Sequence, residues 1–200
     1  MRVKKLEEQK VQKIGHAFGY YDYGKEKGLV SCYRSQEAAA VYINGYVRMA
    51  VKGGMLHTTS EKGEAYIAYK LPGQKIGIGA AMELVKAFVQ SMSLSELVHF
   101  LKAVSGGGPD LKSRMDKEKK PYIFVGLVCV PEAYQGQGYM RKAMEMAFAE
   151  GNRLQVPVIL DTDAKSKCDK YMHLGMELAG TRDCGEHGML YDLIKYPDKG

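Results

Sequence analysis

No stretch of the 200-residue sequence is apolar for long enough to cross a lipid bilayer. The longest apolar run, residues 122–130, is about nine residues long, whereas a membrane-spanning helix needs about 20. The first ten residues are mostly charged or polar and do not look like a secretory signal. The four cysteines are scattered without paired spacing, which is typical of reduced thiols. We therefore expect a cytoplasmic protein that does not enter a membrane.

The composition, with 46% apolar and 26% charged residues, is ordinary for a folded protein and excludes wholesale disorder. At this length we expect one domain, residues 1–200, with one large core. The formal charge of +6 predicts an anionic partner, either a nucleic acid, an acidic membrane or a phosphorylated small ligand. Nucleic acid ranks last, because the basic residues are not interleaved with aromatic side chains along one stripe.

The first 120 residues predict mainly helices. Residues 3–18 have helical spacing, and Ser35 is placed to cap a second helix that ends at residues 53–54. Residues 55–71 read as a hairpin, and two further helices follow, the second opened by a capping box at Ser93. Large apolar residues mark one face of the first, namely Met82, Val85, Val89 and Met92. On the second we expect Leu94, Leu97, Val98 and Leu101 to point inward.

The last 80 residues alternate between strands and helices, which predicts an α/β fold. Residues 122–130 are expected to form a strand buried on both faces. A helix then carries the apolar stripe Met140, Ala143, Met144, Ala147 and Phe148 and is expected to end at Gly151. The remaining elements are a strand at 156–160, a short helix at 167–174 and two closing strands at 177–182 and 189–195.

Two glycines between the strand and the helix, Gly136 and Gly138, suit a turn that holds phosphate, because glycine lets backbone amides approach an anion. A P-loop is excluded, since Gly138 is not followed by Lys and Ser or Thr. A dinucleotide turn needs a third small residue where Arg141 stands. That interpretation nevertheless stays open, because Asp161 follows Gly138 by 23 residues, where a ribose-binding acid would lie.

Residues 130–141 resemble the acetyl-CoA motif of the GNAT superfamily of N-acetyltransferases, in which Gln or Arg is followed by two residues, Gly, one residue, and Gly or Ala. Gln135 and Gly138 match that motif, while Met140 replaces its last small residue. The run Tyr171-Met172-His173-Leu174-Gly175-Met176 is similar to the family's Tyr-x-x-x-Gly-Phe signature, with Met176 in place of Phe. The order of strands and helices over residues 121–196 is also that of the family.

The resemblance implies a central mixed β-sheet with flanking helices, whose fourth and fifth strands splay apart to admit pantetheine. In that arrangement residues 73–120 are a helical insertion into a single acyltransferase domain. The resemblance also implies acetyl-CoA as cosubstrate, and it leaves a homodimer open, because members of the family often pair.

The resemblance assigns cofactor contacts to two short segments. Backbone groups of one segment would bind the pantetheine arm, and the amides of the turn would surround the pyrophosphate. The residues implied are Val128, Cys129 and Val130 for the arm, and Gln135, Gly136, Gln137, Gly138, Tyr139, Met140 and Arg141 for the turn. Val130 is also the implied donor to the oxyanion that develops on the thioester.

The catalytic residues implied are Tyr171 as general acid and Asp161 as base, with Glu64, His57 and Tyr66 on the hairpin as alternative bases. Ordinary structural roles compete with these assignments. Asp161 fits a helix cap or turn, and Tyr171 fits a half-buried core position. Tyrosines of the first half of the chain, Tyr20, Tyr21, Tyr23, Tyr33, Tyr42, Tyr46, Tyr66 and Tyr69, fit either an acceptor pocket or the core.

Residues 184–187 hold one Cys and one His, which indicates a turn rather than a metal site, so no metal is expected. The sequence therefore predicts an acetyl-CoA-dependent N-acetyltransferase acting on a small-molecule amine, without nucleic acid. A non-catalytic module that binds CoA as a sensor or scaffold is the alternative.

Overall fold

A computed structural model describes residues 1–198, leaving aside the side chains at positions 29, 99, 103, 104 and 106. The described residues form one six-stranded mixed sheet with helices on both faces, in the strand order β1-β2-β3-β4-β6-β5, which confirms the predicted α/β class. The strands are β1 Leu56–Thr58, β2 Tyr66–Lys70, β3 Ile123–Cys129, β4 Val158–Thr162, β5 Glu177–Asp183 and β6 Met189–Lys195. The helices are α1 Glu8–Gly19, α2 Gln36–Lys52, α3 Ile78–Ser91, α4 Leu94–Gly106, α5 Leu111–Lys117, α6 Tyr139–Leu154 and α7 Lys165–His173.

The first residues are extended rather than helical, which corrects the predicted start of α1. Arg2 forms a bridge with His57 on β1, and the Val3 N–H donates to the Leu56 carbonyl at 2.9 Å. The edge of β1 thus holds the chain straight until α1 begins at Glu8. If this N-terminal segment is counted as a strand, β3 and β4 are the fourth and fifth strands that the family resemblance concerns.

Two apolar layers cover the sheet. On one face α6 buries Ala143, Met144 and Ala147 against β2, β3 and β4, and α7 packs on the same side. On the other face, α1 and α2 cover β1, β2 and β3. The predicted end of α6 is wrong: the helix runs on to Leu154, and Gly151 lies inside it. A Cβ at Gly151 would approach Val158 to 2.8 Å, so glycine allows the helix to lie close to β4.

Strand β3 is not buried evenly on both faces, as its apolar sequence predicts. Burial alternates along it, with Ile123, Val125, Leu127 and Cys129 buried, and Gly126 is exposed. Along β3 only Ile123 and Phe124 pair with β4, so β3 loses this neighbour part-way along its length. This break in the sheet forms the candidate site described below.

The chain between β2 and β3 contains α3, α4 and α5. The inward face predicted for α4 is wrong, because Leu94, Val98 and Leu101 are exposed. Helix α3 packs on α2 through Ala80, Ala87 and Ser91. A Cβ at Gly45 would lie 2.1 Å from that of Ala87, so small residues on both helices allow a close approach. Most of the large apolar side chains therefore face solvent, although Met92 is buried.

Several local predictions are confirmed. Ser35 caps α2 by accepting the Ala38 N–H, and Ser93 forms a capping box with Glu96 at the start of α4. Gly175, at φ +90°, follows the end of α7. No helix within residues 1–198 is both long and apolar enough to span a bilayer.

Candidate active site

The site begins where β3 and β4 part. The two parallel strands pair through Ile123 with Val158 and through Phe124 with Ile159. On the other side of β3, Leu127 pairs with Ala68 and Val125 pairs with Tyr69, so Gly126 is an extra residue in that ladder. Such a bulge bends its strand and increases the local twist. Beyond Phe124 and Ile159 the two strands no longer pair, which leaves a gap between them that we call the cleft.

Gly126 is required by the close approach of Tyr46 from α2. A Cβ at this position would lie 1.9 Å from the Tyr46 hydroxyl oxygen and 3.2 Å from the Phe124 ring. Any larger residue would push Tyr46 out of the cleft. The sequence analysis assigned no role to Gly126, because one glycine within an apolar strand does not reveal which ring approaches it.

The glycine turn lies at the end of β3, where the cleft reaches the N-terminus of α6. Gly136 and Gly138 have φ values of +73° and +77°, a region that favours glycine. Gly138 is the N-cap of α6 and offers no side chain to the free amides of the first turn. A Cβ built on either glycine meets no atom of the described residues within 4 Å. The turn therefore faces open space, and the backbone N–H groups of the first turn of α6 have no side-chain cap, which suits the binding of an anion.

The other residues of the turn shape it. The Gln135 side chain donates to the Val130 carbonyl at 3.2 Å, and Gln137 donates to the Ala133 carbonyl at 3.0 Å. Both glutamines thus brace the loop from within. Tyr139 packs edge-on against Tyr134 with the ring centroids 5.7 Å apart. Arg141 is exposed, so its guanidinium is accessible beside the turn.

The two departures from the family motifs are accommodated by packing. Met140 is half-buried at the start of α6. Met176 is buried in the layer formed by α6 and α7, where its flexible apolar side chain takes the place of Phe. Cys129 is buried as well, and burial raises its pKa to about 12, so it stays a protonated thiol that packs as a small apolar residue.

Asp161 lies on β4 at the side of the cleft and belongs to an ion-pair network that the sequence analysis missed. Arg182 on β5 donates to Asp161 at 3.3 Å and to Asp192 on β6 at 3.0 and 3.1 Å. Arg182 and Asp192 are buried, whereas the Asp161 side chain is 34% exposed. Burial raises the pKa of Asp161, and the Arg182 charge opposes that rise. The sequence does contain a signal for this network, namely Asp192 within an otherwise apolar strand, because a buried carboxylate needs a cation as its partner.

Tyr171 on α7 is half-buried against the apolar layer beneath the sheet. Burial raises the pKa of its hydroxyl, and the charges of Asp163 and Asp161 raise it further. The hydroxyl therefore holds its proton at neutral pH. The charge of Asp161 is the smaller of these two contributions, and no hydrogen bond of the described residues joins Asp161 on β4 to Tyr171 on α7.

The loop between α1 and α2 is fastened across the start of α7. Tyr23 donates to Asp163 at 2.6 Å, and Lys167 pairs with Asp163 at 2.8 Å. The Lys167 ammonium also lies over the Tyr21 ring, 4.2 Å from its centroid. Glu26 accepts the backbone N–H of Lys165 at 2.8 Å, which caps the first turn of α7. These contacts hold a tyrosine-bearing loop beside Asp163 and Tyr171.

Five of the eight tyrosines that the sequence nominated lie near the site. The pKa values of Tyr42 and Tyr46 on α2 are raised, to about 12 for Tyr42. Burial is the main cause, and the negative charge of Asp161 raises both values further. Tyr33 stacks at a tilt on Tyr42 with the centroids 5.7 Å apart. The other two are Tyr21 and Tyr23. By contrast, Tyr66 and Tyr69 are buried in the core, and Tyr20 stacks on His16 at the surface.

The three alternative bases on the hairpin are engaged elsewhere. Glu64 accepts the hydroxyls of Ser60 at 2.6 Å and Thr59 at 3.0 Å, and the Ser60 bond is the main cause of its lowered pKa. His57 stacks on Tyr69 with the centroids 4.4 Å apart, and burial lowers its pKa. Tyr66 packs beneath α1 and α2. Of the bases considered, Asp161 is the one beside the opening between β3 and β4.

Residues 184–188 form the turn between β5 and β6, as predicted, with a single 3-10 turn over Gly185–His187. Within residues 1–198 no group of three or more His, Cys, Asp and Glu side chains is arranged to hold a metal ion. The His187 ring instead lies 3.3 Å from the Ser31 hydroxyl, which ties this turn to the loop before α2.

Replacing Arg182, at the centre of the ion-pair network, tests how much the network contributes to the free energy of unfolding. Arg182→Met leaves the buried Asp192 carboxylate without its main partner, so we expect the free energy of unfolding at pH 7 to fall by about 3–5 kcal/mol. The loss should shrink towards pH 5, because Asp161, whose folded pKa rises further without Arg182, takes up a proton there. Urea unfolding at both pH values measures this.

The matched control is Arg153→Met, which breaks an exposed pair with Glu150 on α6. Its expected cost is below about 1 kcal/mol at either pH. Equal losses in the two variants would contradict the account of the network.

Comparison with known proteins rests on structure, since no family model and no curated relative matches the sequence. The chain is similar to the "histone acetyltransferase HPA2 and related acetyltransferase" of Corynebacterium glutamicum, at 11% identity and a TM-score of 0.61, covering 100% of this chain and 96% of that one. It is also similar to arylalkylamine N-acetyltransferase 2 of Aedes aegypti, at 11% identity and a TM-score of 0.57, covering 96% and 97%.

A third similar structure is the polyamine N-acetyltransferase of Drosophila melanogaster, which forms N-acetylagmatine. It is 14% identical, with a TM-score of 0.54, and the match covers 96% of this chain and 97% of that one. At such low identities the likeness concerns the fold, and it extends over nearly the whole of each chain. The described chain therefore has the fold of the GNAT N-acetyltransferases.

Proposed function

We propose that this protein transfers the acetyl group of acetyl-CoA to the amino group of a small molecule. The observation that carries the proposal is the cleft between β3 and β4. This cleft leads to the glycine turn, where backbone N–H groups have no side-chain cap. One end of such a cleft suits an anion, and we assign Asp161 and Tyr171 to its side. Acid, base and anion site would then border one opening, as acyl transfer requires.

Acetyl-CoA fits the groups present. The amides of residues 136–141 would hold the pyrophosphate, with the exposed Arg141 beside them. The backbone of residues 128–130 would hold the pantetheine arm, because β3 no longer pairs with β4 there. When bound, acetyl-CoA supplies the activated acyl group as a thioester. The Val130 N–H is the donor we assign to the developing oxyanion.

Asp161 is the proposed base. An amine with a pKa near 10 arrives as an ammonium ion and must lose a proton before it can attack a carbonyl. A carboxylate attracts that cation, and its raised pKa makes it a stronger proton acceptor than an ordinary aspartate. The hydrogen bond from Arg182 fixes the Asp161 carboxylate, and the Asp161 side chain is still partly exposed.

Tyr171 is the proposed acid. Its hydroxyl stays protonated at neutral pH, because burial and two nearby carboxylates raise its pKa. The hydroxyl would give its proton to the sulfur as the bond between carbon and sulfur breaks. A thiol has a pKa near 8.5, so a single proton donor close to the sulfur suffices to make it a good leaving group.

The acceptor we propose is a small primary amine with an apolar or cationic body. Tyrosines 21, 23, 33, 42 and 46 offer aromatic faces, which bind both apolar groups and cations. Asp163 adds a second carboxylate to the same side. The fold also serves an arylalkylamine and a polyamine acetyltransferase, which supports amines of these two kinds as the first to test.

Acetyl-CoA binding is tested by blocking the glycine turn. Gly138→Glu places a carboxylate where the pyrophosphate would lie, so we expect binding to fall below detection by titration calorimetry. Gly73→Glu is the matched control, because Gly73 has a similar φ of +71° and equally open surroundings but lies in the turn between β2 and α3. Absence of binding by the unaltered protein at about 1 mM acetyl-CoA would refute the proposal.

The catalytic roles are tested with a panel of arylalkylamines and polyamines in a thiol-release assay. We expect Asp161→Asn to lower kcat/KM by about 10²–10⁴-fold and to remove its rise with pH, and Tyr171→Phe to lower kcat with acetyl-CoA affinity unchanged. Asp116→Asn and Tyr122→Phe are matched controls, since these residues form a hydrogen-bonded pair away from the cleft. Binding without turnover of any amine would instead favour a CoA-binding sensor or scaffold.

A further inference from the structure

The ammonium group of Lys167 lies in a cage of aromatic and acidic groups. Its Nζ atom is 4.2 Å from the centroid of the Tyr21 ring and 4.5 Å from that of the Tyr23 ring. It also donates to Asp163 at 2.8 Å and to the Tyr23 hydroxyl at 3.2 Å. We refer to Tyr21, Tyr23 and Asp163 as the cation cage. Two ring faces and a carboxylate are groups that bind an ammonium ion of any source.

Contacts that do not involve the lysine hold the cation cage together. Tyr21 and Tyr23 meet edge-on, with ring centroids 4.9 Å apart and an angle of 77° between the rings. The Tyr23 hydroxyl donates to Asp163 at 2.6 Å. Glu26 accepts the backbone N–H of Lys165, which fastens the loop that carries both tyrosines to the start of α7. The cage is therefore formed in advance for a cation.

Lys167 is the part of this cluster that can leave. Its side chain is 18% exposed, and a lysine carries its charge on a flexible four-carbon stem. The ammonium group can therefore move into water while the backbone of α7 stays in place. The Asp163 side chain is only 13% exposed, so its carboxylate then needs another cation. An ammonium ion from a ligand would supply it and leave the charge of the cluster unchanged.

The cation cage borders the proposed catalytic side chains. Lys167 and Tyr171 are four residues apart on α7 and hence lie on one face of that helix. The charge of Asp163 raises the pKa of Tyr171 more than the charge of Asp161 does. Asp163 follows Asp161 by two residues, so their Cα atoms are at most about 7 Å apart. A cation in the cage is thus one short carbon chain away from an amine at Asp161.

We propose that the cation cage receives the second positive charge of a diamine or polyamine acceptor, and that Lys167 occupies the cage until the acceptor binds. The inference rests on the proposed function, because the reacting amine is the one at Asp161. It favours acceptors with two ammonium groups on a short aliphatic chain over arylalkylamines, which carry one charge. Lys167 competes with the acceptor, since a tethered group has an effective concentration on the order of millimolar.

Titration calorimetry with putrescine, a short aliphatic diamine, tests the cage without any acetyl transfer. We expect Lys167→Ala to bind putrescine about 10-fold more tightly than the unaltered protein, because the cage is then free in every molecule. Lys167→Arg keeps a cation in the cage and should bind as weakly as the unaltered protein. Adding Tyr21→Leu to Lys167→Ala removes one ring face and should cost about 10-fold in affinity.

Lys142→Ala is the matched control. The Lys142 ammonium also lies over a tyrosine ring, 4.6 Å from the Tyr139 centroid, but at an exposed position on α6. This variant should bind putrescine as the unaltered protein does. Butylamine, which has the same carbon chain and one charge, should bind Lys167→Ala at least about 10-fold more weakly than putrescine does.

Three results would overturn the proposal. They are an unchanged or weaker affinity of Lys167→Ala for putrescine, an equal gain in Lys142→Ala, and equal affinities of Lys167→Ala for putrescine and butylamine. The proposed function fails separately. Tight putrescine binding by Lys167→Ala without acetyl transfer to any amine would support the cage as a diamine site and contradict the transferase activity. Turnover of arylalkylamines without putrescine binding would do the reverse.

Discussion

The bulge at Gly126 is the constraint from which the site follows. It inserts Gly126 into β3 two residues beyond Phe124, the last residue of β3 that pairs with β4, and a bulge bends the strand that carries it. Tyr46 fills the space where a side chain would otherwise stand. Where β3 and β4 no longer pair with each other, β3 still pairs with β2 and β4 with β6, so each strand beside the cleft keeps a neighbour.

The cleft is electrostatically divided, which the overall charge of +6 does not reveal. At the end of β3, backbone amides and the N-terminus of α6 present partial positive charge. On the other side, Asp161 and Asp163 present negative charge that Arg182 and Lys167 only partly balance. Under the proposed function, an anionic cosubstrate and a cationic amine would be drawn to different parts of one opening. The excess of lysine and arginine over the surface is secondary to this local arrangement.

Features that depend on neighbouring residues could be predicted from the sequence, whereas contacts between distant segments could not. The caps at Ser35 and Ser93 and the glycine turn before α6 follow from short-range rules, and the structure confirms them. Periodicity correctly showed that α3 and α4 are amphipathic, but it did not show that α3 would bury its alanines instead of its larger residues. That choice depends on Gly45 of α2. For the site, the family resemblance nominated Asp161 and Tyr171, which remain predictions, whereas the role of Arg182 depends on pairing between distant strands.

The central claim is that the gap between β3 and β4 is the acetyl-CoA slot. Amide hydrogen exchange with and without acetyl-CoA tests it most directly, because the claim concerns backbone groups. We predict slower exchange at residues 126–130 and 136–141 on binding, with the hairpin β1–β2 and helices α3 and α4 unchanged. Protection confined to other residues, with the amides beyond Phe124 unaffected, would contradict the account.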